Sequence, residues 1–410
     1  MNKINPLHGI STLATHALED DHPLHANAIP IFQNSTFRLP DVATGAAIFS
    51  GEQEGYVYTR WDNPNQLQTA RKIAILEGID LLKAEQERDY LEIVDGRVFS
   101  SGMAAVTSAV LALVKAGDTI ITQDALYSAT YNFFANTLPN YGVKIVWLHD
   151  TSPAAWQEAF ARNPGAKLAY AETPVNPTLS IVDLPALAEI SHRYGAYVMV
   201  DNTFATPYCQ RPLTLGVDVV IHSTTKYLHG HGQVIGGVVV SRHVDYIKGP
   251  LTTALRTYGG TASPFDCWLV NSGLKTFELR MQRQCENAHQ AAAFLEKHPA
   301  VERVFYPGLE SSPDYELARR MMHDFGGMVS FELKGGFKAG EQMMNRVRLC
   351  RLAVSLGHID SLISHPASMT HSYMSLEARN KMGVSEGLVR FSLGIENIGD
   401  ILADLDQSLA

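Results

Sequence analysis

Lys226 closes the run Val219-Val220-Ile221-His222-Ser223-Thr224-Thr225-Lys226, in which an apolar β-branched segment delivers hydroxyls and one amine to the end of a strand. A second apolar segment, Tyr197-Val198-Met199-Val200, delivers Asp201 in the same way. A lysine can condense with an aldehyde, an acid can keep a ring nitrogen protonated, and hydroxyls can bond a phosphate. These three functions together describe a pyridoxal phosphate site. The same residues also describe an ordinary surface lysine after a strand, so the reading depends on what else the chain supplies.

Other residues could supply the missing parts. The segment Gly55-Tyr56-Val57-Tyr58-Thr59-Arg60 alternates, so an extended backbone aims Tyr58 and Arg60 to one side. A phenol beside a guanidinium can clamp a phosphate; the pair is equally a cation resting on a surface aromatic. Ser101-Gly102-Met103 opens a predicted helix with Val106, Val110, Leu113 and Val114 on its apolar side, Ser101 as N-cap and Gly117 as stop. The free N–H groups at its start suit an anion, and a plain cap explains the same residues. Arg390 lies within Val389-Arg390-Phe391-Ser392-Leu393, where a charge amid strand residues must reach solvent or an anion. A substrate carboxylate would satisfy it, and so would a structural acid such as Glu396. His229 and His231 read as structural, since no acid or cysteine at a familiar spacing completes a metal site.

Placing these groups requires a sheet. Short strands are predicted at 119–122, 143–147, 168–172, 197–201, 219–222 and 235–240, with a helix at 183–194. Nearly continuous apolar strands separated by helices indicate an α/β unit whose mainly parallel sheet is buried on both faces. Ligands in such sheets sit at the strands' carboxyl ends, where Asp201 and Lys226 fall. Asn63-Pro64 opens a further helix, and the charge-rich segment 81–98 reads as a solvent-facing excursion. Beyond residue 263 a helical segment at 272–297 leads to strands at 328–333 and 388–393, a second, smaller α/β domain. The division is an N-terminal arm (1–60), a cofactor-binding domain (61–262) and a C-terminal domain (263–410). An arm without sustained periodicity either packs on a neighbouring subunit or moves freely.

Composition narrows the class of function. The 410 residues are 46% hydrophobic and 18% charged, which is globular rather than disordered. A formal charge of -9 argues against nucleic acid or an anionic membrane as the main partner. The four cysteines form no CxxC, which suits buried structural thiols in a reducing cytosol. The N-terminus lacks the apolar core of a signal peptide, and the apolar run 104–114 is too short to span a bilayer. A soluble cytoplasmic protein is expected.

The motifs, taken in order, are similar to those of the Cys/Met-metabolism family of pyridoxal phosphate enzymes, and within it to the methionine γ-lyases and cystathionine γ-lyases. They are Tyr-Thr-Arg at 58–60, Ser-Gly-Met at 101–103, Leu-Tyr-Ser-Ala-Thr at 126–130, Glu-Thr-Pro-Val-Asn-Pro at 172–177 and Val-Asp-Asn-Thr-Phe at 200–204. They continue with His-Ser-Thr-Thr-Lys-Tyr at 222–227, Ser-Leu-Gly at 355–357, His-Pro-Ala-Ser-Met-Thr-His at 365–371 and Val-Arg-Phe-Ser-Leu-Gly at 389–394. The resemblance implies the fold type I, aspartate aminotransferase-like architecture and a homotetramer built from tight dimers. It implies Lys226 as the Schiff-base lysine, Asp201 on the pyridine nitrogen, and Gly102, Met103, Ser223 and Thr225 on the phosphate. It further implies Tyr127 stacked on the ring and serving as acid for the leaving thiolate, and Asn176 on the ring oxygen. Tyr58 and Arg60 would reach the phosphate of a neighbouring subunit, and Arg390 with Ser355 would take the substrate carboxylate.

The resemblance has departures. Ala129 stands where methionine γ-lyases carry cysteine, Arg256-Thr257 where they tend to have Lys-Asp, Gln233 where an acid is common and His358 where many lyases have aspartate. Asn65 replaces the customary threonine of Asn-Pro-Thr, and 81–98 is longer than usual. All could alter which γ-substituent is accepted. Three activities therefore compete: a lyase eliminating the γ-substituent of methionine or a related sulfur amino acid, a γ-replacement transferase using the same chemistry, and a non-catalytic cofactor-binding regulator. The C-terminal motifs favour the lyase, and the full set of Lys226, Asp201, Tyr127 and Arg390 argues against a mere binder.

Overall fold

The computed structural model describes residue 5 and residues 7–19, 25–369, 372, 377, 379 and 383–410. Within them two sheets form. The larger contains β1 (Asp95–Phe99), β2 (Thr119–Gln123), β3 (Lys144–Leu148), β4 (Leu168–Glu172), β5 (Tyr197–Asp201), β6 (Val219–His222) and β7 (Gly237–Ser241). Its spatial order is β1-β7-β6-β5-β4-β2-β3. The strands from β3 through β6 pair in parallel, and β7 is antiparallel to both β6 and β1.

Both faces of this sheet are apolar, because alternate side chains of each strand enter different cores. Ala169, Val198, Val200 and Val220 pack on one side with Ile73 and Val98. Leu168, Met199, Val219 and Ile221 pack on the other with Ala105, Val106, Phe133 and Phe134. That alternation decides where the last residue of each strand points. Glu172 and Asp201 continue the face of Tyr170 and Met199, whereas His222 continues the opposite face.

The sequence reading of 81–98 needs correction. The chain is exposed through Arg88 and Asp89, but Val94 to Phe99 is buried and enters the sheet as β1. Asp95 and Arg97, which mimic a solvated stretch, are satisfied locally: Arg97 donates to Gly96 O at 2.9 Å and lies 3.4 Å from Asp95. The helix opened by Ser101 runs Gly102–Leu111, so Gly117 is not its stop. The segment at 272–297 belongs to two helices, Pro264–Leu274 and Phe277–Lys297. They break at Lys275 and Thr276, just after Gly273, which passes so close to His229 that a Cβ would stand 2.3 Å from the His229 carbonyl.

The smaller sheet contains β8 (Val301–Phe305), β9 (Met328–Leu333), β10 (Arg351–Leu352), β11 (Leu362–Ser364) and β12 (Leu388–Ser392), ordered β10-β11-β12-β9-β8. Met343 and Met344 fill its core beside Phe331 and Phe391. Buried Arg280, on the helix Phe277–Lys297, donates to Tyr227 O at 2.8 Å and Gly273 O at 2.8 Å. It thereby pins the turn after Lys226 to that helix. No helix among the described residues is long and apolar enough to cross a membrane.

Candidate active site

β5 and β6 end side by side; Asp201 is the last residue of β5, and the turn beyond β6 presents Ser223, Thr225 and Lys226. Lys226 Nζ donates to Ser355 Oγ at 2.6 Å. Burial, assisted by the charge of Arg390, pulls its amine down to about 8, so a neutral fraction is available near neutrality. Ser355 arrives from the loop between β10 and β11 with φ 88°, a region that costs a non-glycine residue about 1–2 kcal/mol. Its carbonyl accepts from Arg390 Nη2 at 3.0 Å, and Arg390 Nη1 donates to Asn176 Oδ1 at 3.2 Å. One serine thus joins amine and guanidinium.

Arg390 lies mid-strand in β12, and burial lowers its pKa while Tyr227 and Tyr127 oppose that shift. Glu396, the structural alternative, is used elsewhere: it accepts the Ser361 N–H at 2.6 Å and hydroxyl at 3.0 Å. Among the described residues Arg390 has no carboxylate partner, so the guanidinium remains suited to an external anion. Asp201 accepts the Thr203 N–H at 2.9 Å and the Thr203 hydroxyl, both on Oδ1. Burial raises its carboxyl pKa, while the Thr203 bonds and His222 resist that rise. His222 is bonded in turn to buried Glu77 on the sheet's far side.

A cradle forms where the helix Gly102–Leu111 meets β6. Ser101 Oγ caps Ala104 N–H at 3.0 Å, leaving the Gly102 and Met103 N–H groups at the helix mouth. A Cβ on Gly102 would stand 2.9 Å from Ser223 Cβ, so only glycine lets the helix come this near. The Thr225 hydroxyl accepts Gly236 N–H at 3.0 Å, and both Thr225 and Ser223 hydroxyls turn toward Gly236 O, at 3.3 and 3.5 Å. These donors fit a phosphate, Asp201 fits a cationic ring nitrogen, and Lys226 fits an aldehyde. The site therefore matches pyridoxal phosphate on its own chemistry.

Tyr127 is half exposed at the start of the helix Ser128–Asn132, where its backbone N–H donates to Glu172 Oε2 at 2.8 Å. Tyr58 and Arg60 are not joined to the lysine cluster by any hydrogen bond or ion pair among the described residues. They line a separate shallow hollow of about 310 Å³ with Asn34, Ser35 and Pro264. Arg60 rests 5.6 Å from the Tyr58 ring centre and donates to Arg256 O. The plain alternative, a cation on a surface aromatic, is what this chain alone displays. Arg256, one of the departures, packs on Trp61 and pairs with Asp62 at 2.9 Å.

Among the other departures, Gln233 is exposed, and Ala129 sits half-buried beside Thr130. His358 presses its ring against Gly232, and burial lowers its pKa, with Lys226 adding to the effect. Nearby His229 is buried and pushed down to about 4. His365 is held by Ser368 and the Glu386 carbonyl at 2.9 and 2.7 Å; His371 lies outside the described residues. Sequence reasoning gave no role to Glu172, Gly236 or the Glu77–His222 pair. Glu172 was findable, because it ends an apolar strand just as Asp201 does. The other two depend on contacts between distant segments.

The whole chain has known counterparts. Residues 11–410 match the family described as Cys/Met metabolism PLP-dependent enzyme. The chain is 46% identical over 403 residues to an L-methionine γ-lyase of Porphyromonas gingivalis, covering 98% of this chain and 97% of that one. It is 45% identical over 404 residues to one of Fusobacterium nucleatum, covering 98% of each. Among solved structures it resembles cystathionine γ-synthase from Xanthomonas oryzae pv. oryzae in complex with aminoacrylate and cysteine, with TM-score 0.88, 36% identity and 98% of each chain covered.

Proposed function

Because the chain belongs to the Cys/Met metabolism family of pyridoxal phosphate-dependent enzymes, we propose that it is a carbon–sulfur lyase acting on L-methionine or a related sulfur amino acid. With water, methionine would yield methanethiol, ammonia and 2-oxobutanoate. Likeness to two L-methionine γ-lyases across nearly the whole chain supports the lyase assignment. The observation that supports the site most is the chain of bonds from Lys226 through Ser355 to Arg390 and Asn176, an arrangement that suits a proton carrier beside a carboxylate receptor.

When bound, pyridoxal phosphate supplies an electron sink conjugated to the substrate's amino-bearing carbon. The rest falls to side chains. Arg390, steadied by Ser355 and Asn176, binds and orients the substrate carboxylate. The Lys226 amine, neutral in part near pH 7, takes a proton from Cα and moves protons at Cβ. Tyr127 donates to the departing sulfur at Cγ. Asp201 would keep the ring nitrogen charged, Asn176 would bond the ring oxygen, and Gly102, Met103, Ser223 and Thr225 would hold the phosphate. Tyr58 and Arg60, exposed on the arm, complete the phosphate site of a neighbouring subunit, in a homotetramer made from dimers. In this reading residues 1–60 are the exchanged arm, 61–262 hold the cofactor and 263–410 close over the substrate. Four free, buried cysteines accord with a cytoplasmic setting.

The similarity to a cystathionine γ-synthase keeps one second reading, replacement at Cγ by an incoming thiol. A panel assay decides between them. Keto-acid release is measured from methionine, homocysteine, cystathionine, cysteine and O-acetylhomoserine, with and without added thiol. Elimination predicts 2-oxobutanoate from methionine alone; turnover that appears only with thiol overturns the lyase.

A further inference from the structure

Two buried carboxyls end neighbouring strands. Glu172 and Asp201 are register partners of parallel β4 and β5, so both side chains leave the same face. Only Asp201 is provided for as an anion: the Thr203 N–H and hydroxyl both point at it. Among the described residues the Glu172 carboxyl receives one bond, from Tyr127 N–H to Oε2 at 2.8 Å, and its Oε1 is buried without a partner. An ionised carboxylate with one oxygen stranded and no cation beside it would be costly. Among the described residues, the groups facing Glu172 are Asp201 from β5, Tyr170 from its own strand, Tyr127 from the start of the helix Ser128–Asn132 and the neutral amide of Gln123 from β2. None is a cation, and His222 lies on the far face, bonded to Glu77.

We propose that Glu172 is a positioning residue held as a neutral acid: it fixes Tyr127 through the backbone and leaves the cleft's buried negative charge on Asp201 alone. The proposal rests on the reading that pyridoxal phosphate binds in this cleft. Burial and the neighbouring Asp201 raise the Glu172 carboxyl well above its ordinary range, with the Tyr127 bond opposing, which agrees in direction. Gln123 secures the geometry, for its side chain accepts Glu172 N–H and donates to Glu172 O, both at 3.2 Å. A neutral Glu172 spares Asp201 a like charge one strand away, so Asp201 can stay ionised opposite a cationic ring nitrogen.

Glu172→Gln and Glu172→Ala test this in the folded protein, checked by circular dichroism. In the cofactor-free chain at neutral pH, the infrared difference between wild type and Glu172→Gln should contain the carbonyl band of a protonated carboxylic acid. For cofactor affinity, followed by visible absorbance, Glu172→Gln should match wild type in strength and in pH midpoint. Glu172→Ala, which loses the Tyr127 anchor, should bind about tenfold more weakly, the worth of one hydrogen bond. A missing band, or a midpoint moved by about one unit in Glu172→Gln, means that Glu172 carries charge and overturns the proposal. Equal affinity of Glu172→Ala and wild type overturns the anchoring role. If wild type itself takes up no cofactor, the cofactor reading fails, while the infrared band still decides the charge of Glu172.

Discussion

Lys226 is desolvated and repelled by Arg390, and both effects favour its neutral form. Its folded-state pKa is about 8 against an ordinary 10.5, so the free amine grows through that lower value. Only a free amine condenses with an aldehyde. The rate of pyridoxal phosphate uptake by the cofactor-free protein should therefore rise about tenfold per pH unit below 8 and flatten above it. Stopped-flow absorbance gives that midpoint, and a value near 10.5 would sink the desolvation argument. Arg390 makes a narrower prediction. Its two nitrogens reach Ser355 O and Asn176 Oδ1 in a planar fork that lysine does not reproduce. Arg390→Lys should raise KM roughly tenfold or more, the worth of a charged hydrogen bond, while cofactor affinity stays near wild type. Steady-state kinetics beside an absorbance titration separate the two.

At the scale of elements, the loop between β10 and β11 carries more than its length suggests. Ser355 is held at φ 88° with its hydroxyl on Lys226 and its carbonyl on Arg390. Alanine there keeps the backbone strain and removes the hydroxyl; glycine removes both. Ser355→Gly should thus be more stable than Ser355→Ala by up to about 1 kcal/mol. Both variants should lose the same Lys226 contact. Urea unfolding of the pair measures the difference, and an alanine variant as stable as the glycine one would show that the turn is unstrained.

Across the whole molecule, the end of the larger sheet opposite the site, where β5 and β6 begin, is drawn together by Asp218. It accepts His192 Nε2 at 2.9 Å, His243 Nε2 at 2.7 Å and Val198 N–H at 2.7 Å. Burial would raise its pKa, but the bonds from His243, His192 and Val198 win and hold the carboxyl below its ordinary 3.8. A depressed folded pKa means that the stability from this group is complete above 3.8 and lost as pH falls through the folded value. Asp218→Asn should accordingly lower the urea midpoint at pH 6, and the gap to wild type should close in strong acid. A gap that persists unchanged at low pH would remove Asp218 from the acid response.

Sequence alone indicated the class of fold and the strand-end positions of Asp201 and Lys226, and the resemblance of its motifs to a known family implied the cofactor. Nearly continuous apolar strands separated by helices indicated the sheet, and the ordered set of motifs, more than the lysine's own surroundings, indicated the cofactor. Tertiary structure decided the rest. Val94 to Phe99 can lie buried because Arg97 also donates to Thr252 at 3.1 Å and Asp95 also faces Arg71 at 3.6 Å, partners that no local pattern reveals. Glu396 was excluded as the Arg390 partner because Ser361 holds it. Ser355 was tied to Lys226, and Glu172 set beside Asp201, by segments far apart in sequence. A side chain's charge state and reach depend on burial and neighbours, and only the packed chain supplies either.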